Sequence, residues 1–109
     1  MVEQTAKQTF SVRYEKERPE RRTKLTIFSD ILRLLQRNNG SAKPTHILYG
    51  ANLSHKRMKQ YLEEMLASNF IERVDAKGKT VYKITKRGQE FLMQAKKIKQ
   101  FSEAFGIEL

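Results

Sequence analysis

The sequence predicts a mostly helical chain with a small β-hairpin, an α+β order of three helices, the hairpin and a long final helix. Three observations carry this expectation. Apolar residues recur at helical spacing after Thr23, Ser54 and Thr85, each a hydroxyl residue suited to cap a helix. Two alternating segments, 70–75 and 80–85, flank Ala76-Lys77-Gly78-Lys79, whose glycine suits the positive-φ position of a hairpin turn. Beyond Thr85 the positions Phe91, Ala95, Ile98, Ser102 and Phe105 step by four, three, four and three, which is a heptad seam.

Composition narrows the function classes. The 109 residues suffice for one modest core. Twenty-two Lys and Arg against 12 Asp and Glu give a formal charge of +10, which favours a polyanionic partner. A surface rich in solvated Lys and Arg is the plainer account of the same numbers. Cysteine is absent, so no disulfide framework, cysteine–zinc site or thiol nucleophile is expected. No apolar run approaches the ~18 residues of a membrane span. Met1-Val2-Glu3-Gln4-Thr5 lacks the layout of a signal peptide, so a cytoplasmic protein is expected.

Residues 1–22 form a polar, basic N-terminal arm. Phe10, Val12 and Tyr14 alternate with Ser11 and Arg13, as in a short strand, while the charge density favours a mobile segment. Arg13, Lys16, Arg18, Arg21 and Arg22 outnumber the nearby acids, so phosphate or minor-groove contact competes with a merely solvating role. The folded unit is expected over 23–85. Its first helix carries Leu25, Ile27, Phe28, Ile31, Leu32, Leu34 and Leu35 on a broad apolar face, and Asn38-Asn39-Gly40-Ser41 stops it.

The central stretch runs from Lys43 to Leu66. Pro44 suits the first turn of a short helix, where its missing N–H has no partner to lose. The turn Gly50-Ala51-Asn52-Leu53 follows, and Ser54 caps a second helix over 54–68. Met58, Tyr61, Leu62, Met65 and Leu66 form its apolar stripe; His55, Lys56, Lys59 and Gln60 lie mostly off it, with Arg57 partly beneath. Such a helix-turn-helix presents those residues where base edges and phosphates are met. Asn69 is expected to close the helix in the left-handed region. The hairpin then stands as a wing, with Lys77 and Lys79 at its tip, placed to neutralise phosphates. A soluble hairpin tip is the alternative reading of that turn taken alone.

Residues 86–109 are read as a dimerisation helix, with Phe91, Ala95, Ile98, Ser102 and Phe105 as its interface, and with Leu92 and Phe101 against the domain's own core. Folding back on the first helix, or meeting a different protein, would also use the seam. Left without any partner, Ile98, Phe101 and Phe105 would form an apolar strip that soluble monomers seldom keep.

Residues 24–92 resemble the archaeal winged-helix DNA-binding proteins, especially the small ten-kilodalton "a" class of crenarchaeal DNA-binding protein and related transcriptional regulators. The match rests on Asp30-Ile31-Leu32, Lys43-Pro44-Thr45-His46-Ile47, Ala51-Asn52-Leu53-Ser54, Tyr61-Leu62, Ile71-Glu72, Tyr82-Lys83-Ile84-Thr85 and Gly88. Asn69-Phe70-Ile71 departs from the Gly-Leu-Ile common in the family, and the final helix is shorter than its long coil. The resemblance implies a winged helix-turn-helix and an antiparallel coiled-coil homodimer. It also implies binding of double-stranded DNA by the helix beginning at Ser54, together with the wing.

The expected function is therefore duplex DNA binding by Ser54, His55, Lys56, Arg57, Lys59, Gln60, Lys77 and Lys79. The protein would act as a transcriptional regulator or a nucleoid-associated architectural protein. The competing class is a protein-interaction module of the transcription machinery. RNA binding ranks lower, because Tyr49, Tyr61, Phe70 and Tyr82 are expected in core-like positions and not on a stacking platform. No enzyme, metal, cofactor or small-molecule substrate is expected. His46 and His55 have no carboxylate or cysteine at ligand spacing, and the isolated glycines form no phosphate loop.

Overall fold

The computed structural model describes residues 22–107, so the arm, with its Phe10–Tyr14 alternation, lies outside the described residues except for Arg22. Four helices and a three-stranded antiparallel sheet follow in the order α1 (Lys24–Arg37), β1 (Ser41–Ala42), α2 (Pro44–Gly50), α3 (His55–Ala67), β2 (Ile71–Ala76), β3 (Lys79–Ile84) and α4 (Lys86–Phe105).

Each cap read from the sequence is made. The hydroxyls of Thr23, Ser54 and Thr85 accept from the backbone N–H groups of Thr26, Arg57 and Gly88, at 3.1, 3.2 and 3.0 Å. The helix ends share one device. Asn39, Asn52 and Asn69 all adopt positive φ (61°, 55° and 63°). The next residue in each case (Gly40, Leu53, Phe70) donates its N–H five residues back, to Leu35, Leu48 and Met65. This is the bond that satisfies the orphan carbonyls of a helix C-terminus.

That closure also sets the start of the hairpin. The N–H of Phe70 goes to Met65, so the strand begins at Ile71 and not at Phe70. β2 and β3 pair in register from Ile71↔Ile84 to Ala76↔Lys79, leaving a two-residue turn. Both of its residues, Lys77 and Gly78, have positive φ (51° and 75°), the geometry that matches strand twist across a tight hairpin. The sheet order is β1-β3-β2. β1 was not expected: two residues carry no readable period, and the strand exists only because Ser41 and Ala42 pair with Lys83 and Tyr82.

The core is centred on α1. Ile27, Ile31, Leu32 and Leu35 are fully buried with Ile47, Met65 and Ile71 from α2, α3 and β2. Phe28 meets Tyr61 edge-on at 6.1 Å between centroids, and the same ring faces Phe70 and Phe91, which stack on each other at 4.6 Å. Gly88 lets α4 cross close beneath Phe70, since a Cβ there would sit 2.2 Å from the Phe70 carbonyl oxygen.

The long helix divides its seam. Its first half packs on α1, Phe91 joins the aromatic cluster, and Ala95 is buried. Ser102 is also buried, its hydroxyl donating to the Ile107 carbonyl. Phe101, expected against the core, is instead 57% exposed, beside Phe105 with ring centroids 4.8 Å apart. The reason is helical phase: the buried positions Gly88, Ala95 and Ser102 step by seven along one line, and Phe101, one residue from Ser102, points off it.

Candidate nucleic-acid interface

Four residues of α3 (Met58, Tyr61, Leu62 and Met65) are buried and hold the helix on the core. That leaves Ser54, His55, Lys56, Lys59 and Gln60 exposed around its N-terminal turns, with Arg57 half-buried, in the arrangement the sequence predicts. Glu63, one turn beyond Lys59, is exposed too and is the acidic neighbour of this face. Glu64 turns towards α1 and pairs with Lys24 at 2.9 Å.

The electrostatics of this helix start run against its own stability. No acidic residue occupies the first turn of α3, where the aligned peptide dipoles favour a negative charge, and His55, Lys56 and Arg57 stand there instead. α1 and α4 also begin without acids; Lys24 of α1 and Arg87 of α4 have partners within the fold, while Lys86 is exposed and, like the cations of α3, pairs with no carboxylate among the described residues. Lys24 meets Glu64, and Arg87 donates to the Ser68 carbonyl at 2.9 Å while lying 5.4 Å from the Phe70 ring centroid. Among the described residues no carboxylate pairs with Lys56 or Lys59.

At the wing, Lys77 and Lys79 are exposed at the tip. Below them Asp75 accepts from the Thr80 hydroxyl at 2.6 Å and from Arg73 Nε at 3.4 Å. The Thr80 hydrogen bond, aided by the nearby Arg73 charge, holds the Asp75 carboxyl below the ordinary carboxylate value. That carboxylate stays exposed and charged, and its bonds to Thr80 and Arg73 offset it locally beneath the two lysines of the tip.

Two residues depart from expectation. Tyr49, expected in the core, is 78% exposed on α2, one turn after the exposed Thr45. In a seven-residue helix that buries only Ile47 fully, the apolar face is too narrow to reach it. Tyr61 is buried as expected, and Phe70 and Tyr82 are packed on the core. Arg22, counted among the basic residues of the arm, donates to Asp30 Oδ2 at 2.9 Å and to the carbonyls of Ala51 and Asn52 at 3.0 and 3.2 Å. No sequence pattern signals that contact, which spans 29 and 30 residues. His46 and His55 are both exposed on separate helices, and no group of three or more potential metal-ligating side chains occurs among the described residues. No helix among them is long and apolar enough to cross a membrane.

The family model for winged helix-turn-helix domains matches residues 21–103, from the helix α1 entry to the last turn of α4. The chain belongs to the winged helix-turn-helix family. No curated protein matches the sequence. Among solved structures, the winged helix is similar to Sso10a-2, a DNA-binding protein from Sulfolobus solfataricus, with TM-score 0.70 and 20% identity over 77% of this chain and 85% of that one. It is also similar to a winged-helix DNA-binding protein from STIV (TM-score 0.62, 11% identity, covering 75% and 92% of the two chains). A MarR family transcriptional regulator from Silicibacter pomeroyi superposes with TM-score 0.61 at 15% identity, over 74% of this chain and 56% of that one. At these identities the likeness concerns the winged-helix fold, shared between archaeal DNA-binding proteins and bacterial regulators.

Proposed function

We propose that the protein binds double-stranded DNA as a homodimer, with α3 in the major groove and the wing on the backbone or minor groove. The carrying observation is the start of α3. Placing cations at the positive end of a helix dipole costs a few tenths of a kcal/mol or more each, a cost that a docked phosphate backbone offsets. Lys56 and Lys59 suit phosphates, while Arg57 and Gln60 suit bidentate contact with guanine and adenine. Ser54 and His55 complete the contact at the cap. Lys77 supports the wing's part: a lysine in the left-handed region is strained where Asn or Gly would be relaxed, and the strain is accounted for if the charge is needed there. The DNA-binding names of two similar structures agree with this reading.

The test is duplex affinity as a function of salt. Phosphate contacts by these lysines predict that log affinity falls steeply with log salt, by about 0.9 per neutralised phosphate. A slope near zero rules the proposal out.

The exposed end of α4 supports the dimer. Ile98 (44% exposed), Phe101 and Phe105 (67%) leave an apolar strip that a second copy of the helix would cover, while Phe91, Ala95 and Ser102 of the same seam are taken up within the protomer. Replacing Ile98 and Phe105 by Glu should give a folded monomer in sedimentation equilibrium, because neither residue belongs to the domain core. Persistence of a dimer would place the interface elsewhere. The biological role is that of a transcriptional regulator or an architectural protein of the nucleoid, in the cytoplasm. Sharp bound sites in a genome-wide occupancy map mark the former, and broad coverage marks the latter.

A further inference from the structure

The turn that launches the recognition helix is held from outside the helix-turn-helix. Asn52 and Leu53 close α2 by donating to Tyr49 and Leu48 at 3.3 and 3.0 Å, and Leu53 is buried. These bonds use the turn's N–H groups. The carbonyls of Ala51 and Asn52 both accept from the Arg22 guanidinium, whose position is fixed in turn by Asp30 on α1. Asp30 also holds Arg33 at 3.0 Å, so its carboxylate is anchored on both oxygens. Arg22 thus ties the entry of α1 to the two residues that stand just before the Leu53-Ser54 start of α3. The two Nη nitrogens of the planar guanidinium share the work, Nη1 on Asp30 and Ala51 and Nη2 on Asn52, a spread that the single nitrogen of a lysine matches poorly.

We infer that Arg22 is a positioning residue for DNA binding: with Asp30 it sets the placement of the N-terminus of α3 through the Ala51 and Asn52 carbonyls, without itself touching phosphate. The inference rests on the DNA-binding reading above. Its consequence is that Asp30, an acid, supports binding to a polyanion.

The experiment measures duplex affinity against salt for the full chain and for the variants Arg22→Gln, Arg22→Lys and Asp30→Asn, with thermal melts as a check on folding. Losing charge-assisted hydrogen bonds at the turn should weaken binding by about tenfold in Arg22→Gln. Arg22→Lys should be nearly as weak, and the salt slope should stay at the unmodified value in both. Asp30→Asn should also weaken binding, although removing a negative charge would by long-range attraction alone tighten it. The inference is overturned if Arg22→Lys restores affinity while Arg22→Gln lowers the slope by about 0.9, the signature of a direct phosphate contact. It is equally overturned if Asp30→Asn binds more tightly, or if the folded variants bind as the unmodified chain does. If Arg22→Gln fails to fold, the sign of the Asp30→Asn effect decides. Absence of binding by the unmodified chain would instead remove the DNA reading, and the inference with it.

Discussion

Replacing Lys56 and Lys59 together by Glu lowers duplex affinity by about a thousandfold while leaving the fold intact. Each replacement turns an attraction of ~1 kcal/mol at a phosphate into a repulsion of similar size, and two swings of ~2 kcal/mol amount to about three decades. Both side chains are exposed, so nothing in the core is disturbed. The same change relieves the helix start, because Glu in the first turn of α3 interacts favourably with the dipole that now faces cations. The melting temperature should therefore hold or rise slightly as binding is lost. Fluorescence anisotropy with labelled duplex, alongside a thermal melt, checks both halves. Retained binding would refute the assignment of α3, and a collapse of the melt would show these lysines to be structural.

Replacing Gly88 by Ala destabilises the domain by about 1–3 kcal/mol, with a melting temperature lower by roughly 5–20 °C. Helix propensity alone gives the opposite sign, since Gly in a helix is worse than Ala by about 0.5–1 kcal/mol. The packing decides. The new Cβ would meet the Phe70 carbonyl oxygen at 2.2 Å and its carbon at 3.1 Å, and both are backbone atoms. Phe70 has little room to retreat. Its carbonyl accepts from the Thr85 N–H, its own N–H donates to Met65 and closes α3, and its ring contacts both Phe91 and the Arg87 guanidinium. The comparison at Gly50 sharpens the test. There the added Cβ would meet Leu34 Cδ1, the end of a flexible side chain, so Gly50→Ala should cost less. Thermal melts of the two variants should rank them in that order; an unchanged or raised melt for Gly88→Ala would refute the close packing of α4 on the Phe70 backbone.

The local features were legible because each is written within a few residues. A hydroxyl before an apolar run, an asparagine after one, proline at a first helical turn and glycine between alternating segments depend only on nearby backbone geometry. So Thr23, Ser54, Thr85, Asn69, Pro44 and Gly78 stand where their chemistry places them. The exposed cations of α3 followed by subtraction, once Met58, Tyr61, Leu62 and Met65 had claimed the buried stripe. Tyr49 escaped that reasoning, because a tyrosine fits either side of a narrow stripe and seven residues give little period to judge by.

The sequence by itself determined the order of the elements, their caps and turns, and the excess of positive charge, since these are properties of short windows and of composition. Tertiary structure alone decided which side of α2 carries Tyr49, that Ser41 and Ala42 become a strand, and where α4 leaves the core. It also decided that Arg22 reaches the turn before α3. Each of these depends on groups about 30 or more residues apart in the chain meeting in space, or on how far the core extends, and no local pattern encodes either.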